Sequence, residues 1–438
     1  MIADTRKLGR LNVLVVYYAF TFPTRDAILR HCYAIGKYSD YNVFHINLFW
    51  EKVPAYLKTV EWDAVVFHNT YLICRPAPEL FKRVKEPLQF VRELKCPKIA
   101  IAQDEANNTD ALCRFIADFG VDVVYSLLAT EDARRTAYEG HIPARVKIRP
   151  SLAGYVDDAL VKQVADACRR VRARDVDIGY RSFKARARNG PLGVLKWKIC
   201  DIFKEKAPRY GLNCDLSVDL EDTLNGQDWL NFLARSRYQI GVEGGSSVLD
   251  RSGDIMTRCI AYERDHPEAA YDEIEAACFP GQGESLDGAV ISPRVFECAM
   301  AGACQILVEG RYNGILEPWV HYIPLRQDFS NIHEILASLN DEERRQRFVD
   351  NAYRDLIASE RYHYRHFVAD IVSQIPERPP ADAARLALLR NRVEDWLNWR
   401  LLGLREFLRR RPRLAGFVKF LRSPGRAAWV PRSRPDKV

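Results

Sequence analysis

The sequence predicts an α/β fold of two domains, each built on a parallel β-sheet with helices on both faces. Three observations support this prediction. They are the length of 438 residues, the balance of 47% hydrophobic against 28% charged residues, and two series of strands that alternate with helices. At ~100–200 residues per domain, the length predicts roughly two to four domains. The composition is typical of a globular enzyme and excludes a disordered or collagen-like chain.

The first series spans residues 1–154, which we assign to an N-terminal Rossmann-like domain. Its first strand is the continuous, largely β-branched run at 11–20, and a helical period follows from Thr24. Four further strand-type segments lie at 41–49, 62–72, 97–106 and 121–128. Strands that alternate with helices form a parallel sheet whose two faces are covered.

The second series spans residues 155–375 and predicts a second Rossmann-like domain. A helix at 155–172 leads away from the first domain. Strand-type segments then follow at 176–180, 212–218, 238–244, 303–310 and 321–325. The proline-rich stretch 376–382 predicts a helix-breaking linker. It leads to a tail at 383–438 with an apolar helical stripe.

Composition excludes several classes of protein. The sequence contains no run of ~18 apolar residues, so it predicts no membrane-spanning helix. The basic N-terminus is interpreted as preceding a buried strand rather than as a signal peptide. The eleven cysteines form no C-x-x-C pair, which indicates a reducing cytoplasm and no structural metal. Twelve Lys and Arg against two acids give residues 400–438 a net charge of +10, so the rest of the chain carries −3. A mildly acidic body argues against a nucleic-acid partner.

Two loops that follow predicted strands are candidate ligand sites, because ligands bind at the carboxyl ends of the strands in parallel sheets. The loop after the first strand of the second series is basic and leads into a helix, which favours an anion site formed by Arg181, Lys196 and Lys198. The alternative is a solvated basic loop. A second loop contains small residues that permit close backbone approach to a ligand, or form only a turn. Those residues are Gly245, Ser246 and Ser247.

The segment 291–325 carries the most specific pattern. Ser292 and Pro293 predict a helix start, and Gly302 predicts its end. Ser292 is also a candidate residue for binding the donor. Arg294 and Glu297 then lie one turn apart on one face of this helix. A glutamate on the first turn of a helix that faces a cleft is well placed to accept hydrogen bonds from two ribose hydroxyls.

This segment resembles the nucleotide-binding half of bacterial GT-B glycosyltransferases. The shared motifs are Ser-Pro-Arg-x-Phe-Glu at 292–297, Glu-Gly-x-Tyr-x-Gly at 309–314 and His-Tyr-Ile-Pro-Leu at 321–325, and the resemblance extends over 177–375. It implies two Rossmann-like domains that face a cleft, with the donor nucleotide in the second domain and the acceptor in the first. It also implies roles for single residues. Glu297 would bind ribose, and Arg181, Arg294 and one lysine of the 196/198 pair would bind the diphosphate.

Further residues complete the predicted site. Asn313, Gly314 and His321 are assigned to the sugar or pyrophosphate pocket, although a structural role for His321 is equally open. Ala289 stands where the retaining Glu-x7-Glu pattern of the family has its first glutamate, so the stereochemical class stays open. The candidates for a general base follow strands of the first domain, and each has a structural alternative as a helix cap or core residue. They are His68, Asp104 and Glu105.

The resemblance, together with these residues, implies a metal-independent glycosyltransferase that transfers a sugar from a nucleotide-sugar, such as a UDP- or GDP-sugar, without a further cofactor. The predicted acceptor is a hydroxyl of a bacterial surface glycan, namely lipopolysaccharide, O-antigen or capsule. Asp175 and Asp177 form a D-x-D only by chance, since they precede a strand. The alternatives are a nucleotide-sugar epimerase on the same scaffold and a non-catalytic nucleotide-sugar-binding protein.

The tail predicts a cytoplasmic protein held at the inner face of the cell membrane. Its apolar stripe is interleaved with arginines over 383–438, and basic amphipathic helices gain both apolar burial and attraction to anionic lipid. The alternative is that the stripe packs on the body of the protein. A peripheral anchor agrees with an acceptor that is linked to lipid.

Overall fold

The computed structural model describes residues 11–376 and 384–410, which fold into two α/β domains with separate parallel sheets. The predicted fold class is confirmed: two Rossmann-like domains face a cleft, and a long helix follows them. The bounds of the two predicted domains stay a proposal. The predicted linker 376–382 and the end of the predicted tail, 411–438, lie outside the described residues apart from Pro376.

The first sheet has six strands, all parallel. The strands are β1 (Asn12–Tyr17), β2 (Asn42–Asn47), β3 (Ala64–Phe67), β4 (Lys98–Ile101), β5 (Val123–Ser126) and β6 (Lys147–Pro150). Their spatial order is β2–β1–β3–β4–β5–β6. Every residue of β1 is buried, as expected for a strand with helices on both faces.

The helices of this half cover the two faces of the sheet. They are α1 (Asp26–Tyr38), α2 (Asn69–Leu72), α3 (Pro78–Lys85), α4 (Thr109–Asp118) and α5 (Glu131–Tyr138). The next helix in the chain, α6 (Asp158–Arg170), does not cover this sheet. Alternate residues of β1 enter different cores because side chains alternate across a strand. Leu14 shares one core with Phe115 of α4, and Val15 shares the other with Ile35 of α1. Helix α6 packs in the core of the second domain.

The second sheet is also parallel. Its strands are β7 (Val176–Arg181), β8 (Cys214–Ser217), β9 (Ser236–Gly241), β12 (Cys304–Val308) and β13 (Ile323–Leu325), in the order β13–β12–β9–β7–β8. A separate antiparallel pair is formed by β10 (Gly244–Gly245) and β11 (Ala289–Val290). The helices of this half are α7 (Gly190–Lys206), α8 (Gly226–Arg235), α9 (Asp254–Asp265), α10 (Tyr271–Cys278), α11 (Arg294–Ala301), α12 (Ile332–Ser338) and α13 (Glu342–Ala352).

The last two helices return to the first domain. Helix α14 (Tyr364–Val372) packs on α1 through Phe367 and Val368, although chain order placed it in the second domain. Helix α15 (Arg385–Arg409) lies beside β2, where Leu388 is buried in the core of the first domain. The chain therefore crosses back to the first domain once, after α13, and α15 covers β2 at the edge of the first sheet.

Candidate functional site

A cavity of about 330 Å³ opens between the two domains, at the carboxyl ends of β7 and β9. The first domain lines it with the start of α1, and the second with the end of β7, with α7 and α8 and with the first turn of α11. The charged and aromatic residues among the lining are Arg25, Asp26, Arg30, Tyr180, Arg181, Phe183, Lys196, Trp229, Arg294 and Glu297. Both parallel sheets thus present strand ends to one cleft, which is where such sheets bind ligands.

Glu297 lies on the first turn of α11 and is held by a side chain of another helix. The indole Nε1–H of Trp229 donates to its Oε2 at 2.8 Å. Burial raises the pKa of Glu297, while the hydrogen bond from Trp229 and the charge of Arg294 oppose that shift. One carboxylate oxygen is therefore fixed by the protein, and the group faces the cavity in a defined orientation.

Arg294 lies between two aromatic rings. Its guanidinium is 5.3 Å from the ring centre of Tyr180 and 5.3 Å from that of Trp229, and it donates a hydrogen bond to the Arg181 carbonyl. Within the described residues, no carboxylate forms a salt bridge with it. Stacked arginines of this kind are fixed in place while their charge is still available to an anion.

Lys196 is a second cation of the cavity. It lies on α7, with its ammonium 5.4 Å from the ring centre of Phe183. Burial lowers the pKa of Lys196, and the carboxylate of Asp104, which reaches it from the first domain, opposes this shift. Lys198 is exposed on another face of the helix and does not line the cavity, because residues two apart point in different directions.

Arg181 lines the cavity, but its charge is shared with its own domain. Its guanidinium donates to Asp215 Oδ1 at 2.5 Å and to the carbonyls of Tyr180 and Asp215 at 2.9 and 3.0 Å. It also lies 4.7 Å from the ring centre of Phe232. A side chain with this many partners supports the end of β7 as much as it offers charge to a ligand.

Among the three candidate bases, Asp104 is the exposed one. It follows β4 with a left-handed backbone, at φ 50°. The buried guanidinium of Arg75 holds the loop by donating to the carbonyls of Gln103, Asp104 and Asn107. Asp104 does not line the cavity, but its carboxylate is near enough to Lys196 of the cavity to raise the pKa of that lysine against the effect of burial.

The other two candidate bases are buried and fully engaged. His68 is 1% exposed, and its ring nitrogens lie 3.0 Å from His31 Nδ1 and 2.9 Å from Thr70 Oγ1. Burial lowers its pKa well below the usual value. Glu105 accepts hydrogen bonds from Ser126, from the Leu127 amide and from the Tyr138 hydroxyl. Their assignment as base stays a prediction, and the geometry favours Asp104.

The remaining predicted ligands of the donor do not line the cavity, with the exception of Ser292. Gly245 pairs with Ala289 in the short antiparallel ribbon, at the position where the family motif would have its first glutamate. Ser246 Oγ bonds within its own loop, and Ser247 Oγ donates to the Asn189 carbonyl.

The predicted residues near the end of the motif support their own loops. Asn313 accepts from the Ile291 amide at 2.7 Å, and Gly314 follows it with a positive φ of 70°. His321 Nδ1 accepts from the Glu317 amide, while its Nε2 lies 3.0 Å from Asp355. Their predicted contact with the donor stays untested.

Two groups of residues in the cavity were not predicted from the sequence. Trp229 lies on the amphipathic helix α8, where the sequence pattern alone does not distinguish a tryptophan that lines a cavity from one that packs in the core. Arg25 directly precedes α1 and Arg30 lies on its first turns, just after the loop that follows β1. That position at a strand end is the signal by which they could have been found.

Aspartates of the D-x-D sequence are bound by arginines. Asp175 accepts two hydrogen bonds from Arg235, and Asp177 accepts from Arg237 at 2.8 Å. Neither lines the cavity.

A scan against protein-family models and a search of curated proteins return no match. Among solved structures, the chain is similar to HepE from Anabaena in complex with UDP-glucose, with 12% identity and a TM-score of 0.43 over 83% of this chain and 100% of that one. Sucrose-phosphate synthase from Thermosynechococcus elongatus has 12% identity and a TM-score of 0.45, over 83% and 98%. A glycosyltransferase involved in avilamycin A biosynthesis has 14% identity and a TM-score of 0.41, over 83% and 97%.

Proposed function

We propose that this protein is a glycosyltransferase that transfers a sugar from a nucleotide-sugar donor to an acceptor hydroxyl. The observation that carries the proposal is the composition of the cleft. One cavity combines a fixed carboxylate, Glu297, with two cations that have no salt bridge in the described residues, Arg294 and Lys196. A nucleoside diphosphate needs both, since its ribose presents hydroxyl donors and its diphosphate presents negative charge. The resemblance of residues 292–297 to the GT-B motif supports the same conclusion.

The donor half of the reaction depends on the second domain. Glu297 accepts from the ribose hydroxyls through the oxygen that Trp229 does not occupy. Arg294, Lys196 and the start of α11 face the diphosphate, with Arg30 of the first domain opposite them. Preorganised cations of this kind stabilise the charge that develops as the bond between the sugar and the diphosphate breaks.

The acceptor half depends on the first domain. In direct transfer, the acceptor oxygen bonds to the anomeric carbon, its proton passes to a base, and the nucleoside diphosphate leaves with the electron pair of the broken bond. Asp104 is the proposed base because it is exposed directly after β4 and its charge acts on Lys196 of the cavity. The chemistry requires no metal in this proposal, since Arg294 and Lys196 supply positive charge. The donor is a substrate, and no other cofactor is proposed.

The proposed acceptor is a lipid-linked bacterial surface glycan, and the proposed location is the inner face of the cell membrane. Two features support this location: the basic sequence over 400–438, and the apolar stripe that begins on α15. A truncated chain that ends at Gln374 tests the location. Full-length protein should co-sediment with anionic vesicles and be released by ~0.5 M salt, and the truncated form should stay in the supernatant.

Activity is tested by incubating the protein with UDP-, GDP- and dTDP-sugars, with and without lipid-linked glycan from a bacterial membrane. We expect release of nucleoside diphosphate only when an acceptor is present. Asp104→Asn should lose turnover and keep nucleotide binding. Asp118→Asn is the matched control, because Asp118 is exposed at the opposite end of α4, away from the cleft. Epimerised donor without acceptor would indicate an epimerase instead, and binding without turnover of any acceptor would indicate a binding protein.

A further inference from the structure

We infer that the outer face of α15, together with Phe20 and Phe22, is a surface that binds an anionic lipid bilayer. This inference deepens the proposed membrane location and rests on it. It assigns the contact to a folded helix of the body, whereas the proposed anchor extends to the end of the chain.

The inner face of α15 is bound to the first domain by polar contacts. The amide of Asn391 pairs with both backbone groups of His45, donating to its carbonyl and accepting from its N–H at 2.9 Å each. Asp395 accepts from the hydroxyls of Tyr17 and Tyr33 at 2.7 and 2.6 Å. The indole of Trp399 donates to Tyr33 at 2.7 Å. These contacts fix the rotation of the helix about its axis.

With the helix fixed in this rotation, its apolar stripe faces away from the body. Residues three and four apart share a face of a helix, and eight large apolar side chains follow this spacing. Their exposed fractions run from 39% to 79%: Leu386, Leu389, Val393, Trp396, Leu397, Leu401, Leu404 and Phe407. A continuous apolar stripe of this length on a protein surface marks an interaction site.

The loop between β1 and α1 extends the same surface. Phe20 and Phe22 are 56% and 42% exposed, and the Phe22 ring lies against Gly403 of α15. Three residues after Phe22, Arg25 lines the cavity of the proposed active site. A bilayer in contact with this surface would therefore lie next to the mouth of the cleft, where a lipid-linked acceptor has to enter.

Charge identifies the occupant as anionic lipid. Six arginines against three acids give α15 a net charge of +3, and two of the arginines, Arg390 and Arg409, pair with acids of the same helix. Glu394 accepts from Tyr56 and Arg390, Asp395 binds the two tyrosines, and Glu406 binds Arg409 and Arg410. The stripe is thus flanked by positive charge, as in helices that lie in the membrane interface.

A second copy of this chain fits the surface less well. Arg400, whose guanidinium lies 5.1 Å from the ring centre of Trp396, belongs to the stripe itself. Two such faces in contact would bury arginines against each other, whereas lipid phosphates would neutralise them. Within the described residues, no helix is long and apolar enough to cross a membrane.

The test is co-sedimentation of the full chain with vesicles of phosphatidylcholine, with and without ~30% phosphatidylglycerol. We expect binding to the anionic vesicles only. Trp396→Glu and Leu397→Glu should each weaken it roughly tenfold or more, because each removes a large apolar side chain from the contact. Ile260→Glu is the matched control, since Ile260 is 52% exposed on α9 and lies far from α15 in sequence, so its binding should equal that of the wild type.

Two results would overturn the inference. Unchanged vesicle binding of both α15 variants would assign the contact to another part of the chain. A dimer in light scattering that Trp396→Glu dissociates would assign the face to a second copy. Nucleotide binding is measured on the same samples. If the wild type binds nucleotide but not vesicles, only the proposed membrane surface is refuted. If it binds vesicles but not nucleotide, only the proposed donor site is refuted.

Discussion

Among single residues, Trp229 and Glu297 form one hydrogen-bonded pair that lines the cavity. The indole occupies one carboxylate oxygen, so the other is available to a ligand in a fixed direction. The same ring stacks on Arg294, which links the proposed ribose contact to the proposed diphosphate contact. A glutamate at this position could be predicted from the motif, whereas its partner comes from a different helix and could not.

Removal of the Glu297 carboxylate should weaken nucleotide binding by about 2–3 kcal/mol, the range for hydrogen bonds to a charged group. The change is Glu297→Ala, and the measurement is calorimetric titration with the nucleoside diphosphate. The fold should survive, because a cleft-facing carboxylate has little packing to lose. Glu334→Ala, at an exposed position on α12, is the control. Equal affinity of the Glu297 variant and the wild type would refute the ribose assignment.

Arg294→Ala should lower kcat more than it raises KM, because the charge on the leaving diphosphate increases as the reaction proceeds. Arg181→Ala should also lower the free energy of unfolding, since Arg181 is bound by Asp215 and two carbonyls. Steady-state kinetics and urea unfolding of both variants separate the two effects. A pure KM effect in Arg294→Ala would show that this residue contacts only the ground state.

At the scale of elements, strands with continuous apolar runs were predicted correctly, and the exception has a physical reason. Strand β6 lies at the edge of the first sheet and contains Lys147 and Arg149. Charged edge strands resist pairing with other chains, but they lose the apolar pattern by which strands are recognised. The return of α14 and α15 to the first domain could not be predicted either, because long-range packing leaves no local pattern.

The contact between α1 and the end of β3 should make stability depend on pH. Burial lowers the pKa of His31 to about 4, and His68 is lowered as well. The neutral rings of His31 and His68 share one hydrogen bond, since His31 Nδ1 lies 3.0 Å from His68 Nε2. Protonation of both rings would place an N–H on each of these two nitrogens, so that the two N–H groups would face each other. The unfolded chain, with a histidine pKa of about 6.5, binds more protons below that pH, so folded stability falls as pH falls from 6.5 toward 4.

Urea unfolding at pH 7.5 and pH 5.5 measures this dependence. Between pH 7.5 and pH 5.5, the free energy of unfolding of the wild type should fall by about 1 kcal/mol more than that of His31→Gln, because the variant no longer contains the buried ring that resists protonation. The difference between the two proteins removes the contribution of the other titrating groups. An identical loss in both proteins would show that His31 is not responsible.

At the scale of the whole molecule, the two domains are joined across the cleft. The Asp250 amide donates to the Ala106 carbonyl at 2.8 Å, and Arg251 forms a salt bridge with Asp110 at 3.2 Å. These contacts lie close in sequence to Asp104, so the segment after β10 supports the side of the cleft to which we assign the acceptor. From the sequence, the loop that contains these residues was expected only to approach a ligand or to form a turn, because a contact between domains depends on their relative orientation.

The two-domain arrangement explains which parts of the site could be predicted. Arg294 and Glu297 belong to a local motif, and their position in the cavity follows from the helix that carries them. Arg25, Arg30 and Trp229 reach the same cavity from separate elements, so only the folded chain brings them together. Asn313 and His321, by contrast, belong to local motifs whose side chains support their own loops.

A thermal-shift screen against UDP, GDP, dTDP and CMP tests whether the cleft binds a nucleotide, on which the proposed function depends. A ligand that binds the folded state at a hundredfold excess over its Kd stabilises that state by roughly 2.7 kcal/mol. We expect one nucleoside diphosphate to raise the Tm more than CMP does, because it alone reaches the cations of the cavity. We also expect Glu297→Ala to lose most of this shift. No shift with any of the four nucleotides, or an equal shift in the wild type and in Glu297→Ala, would contradict the account.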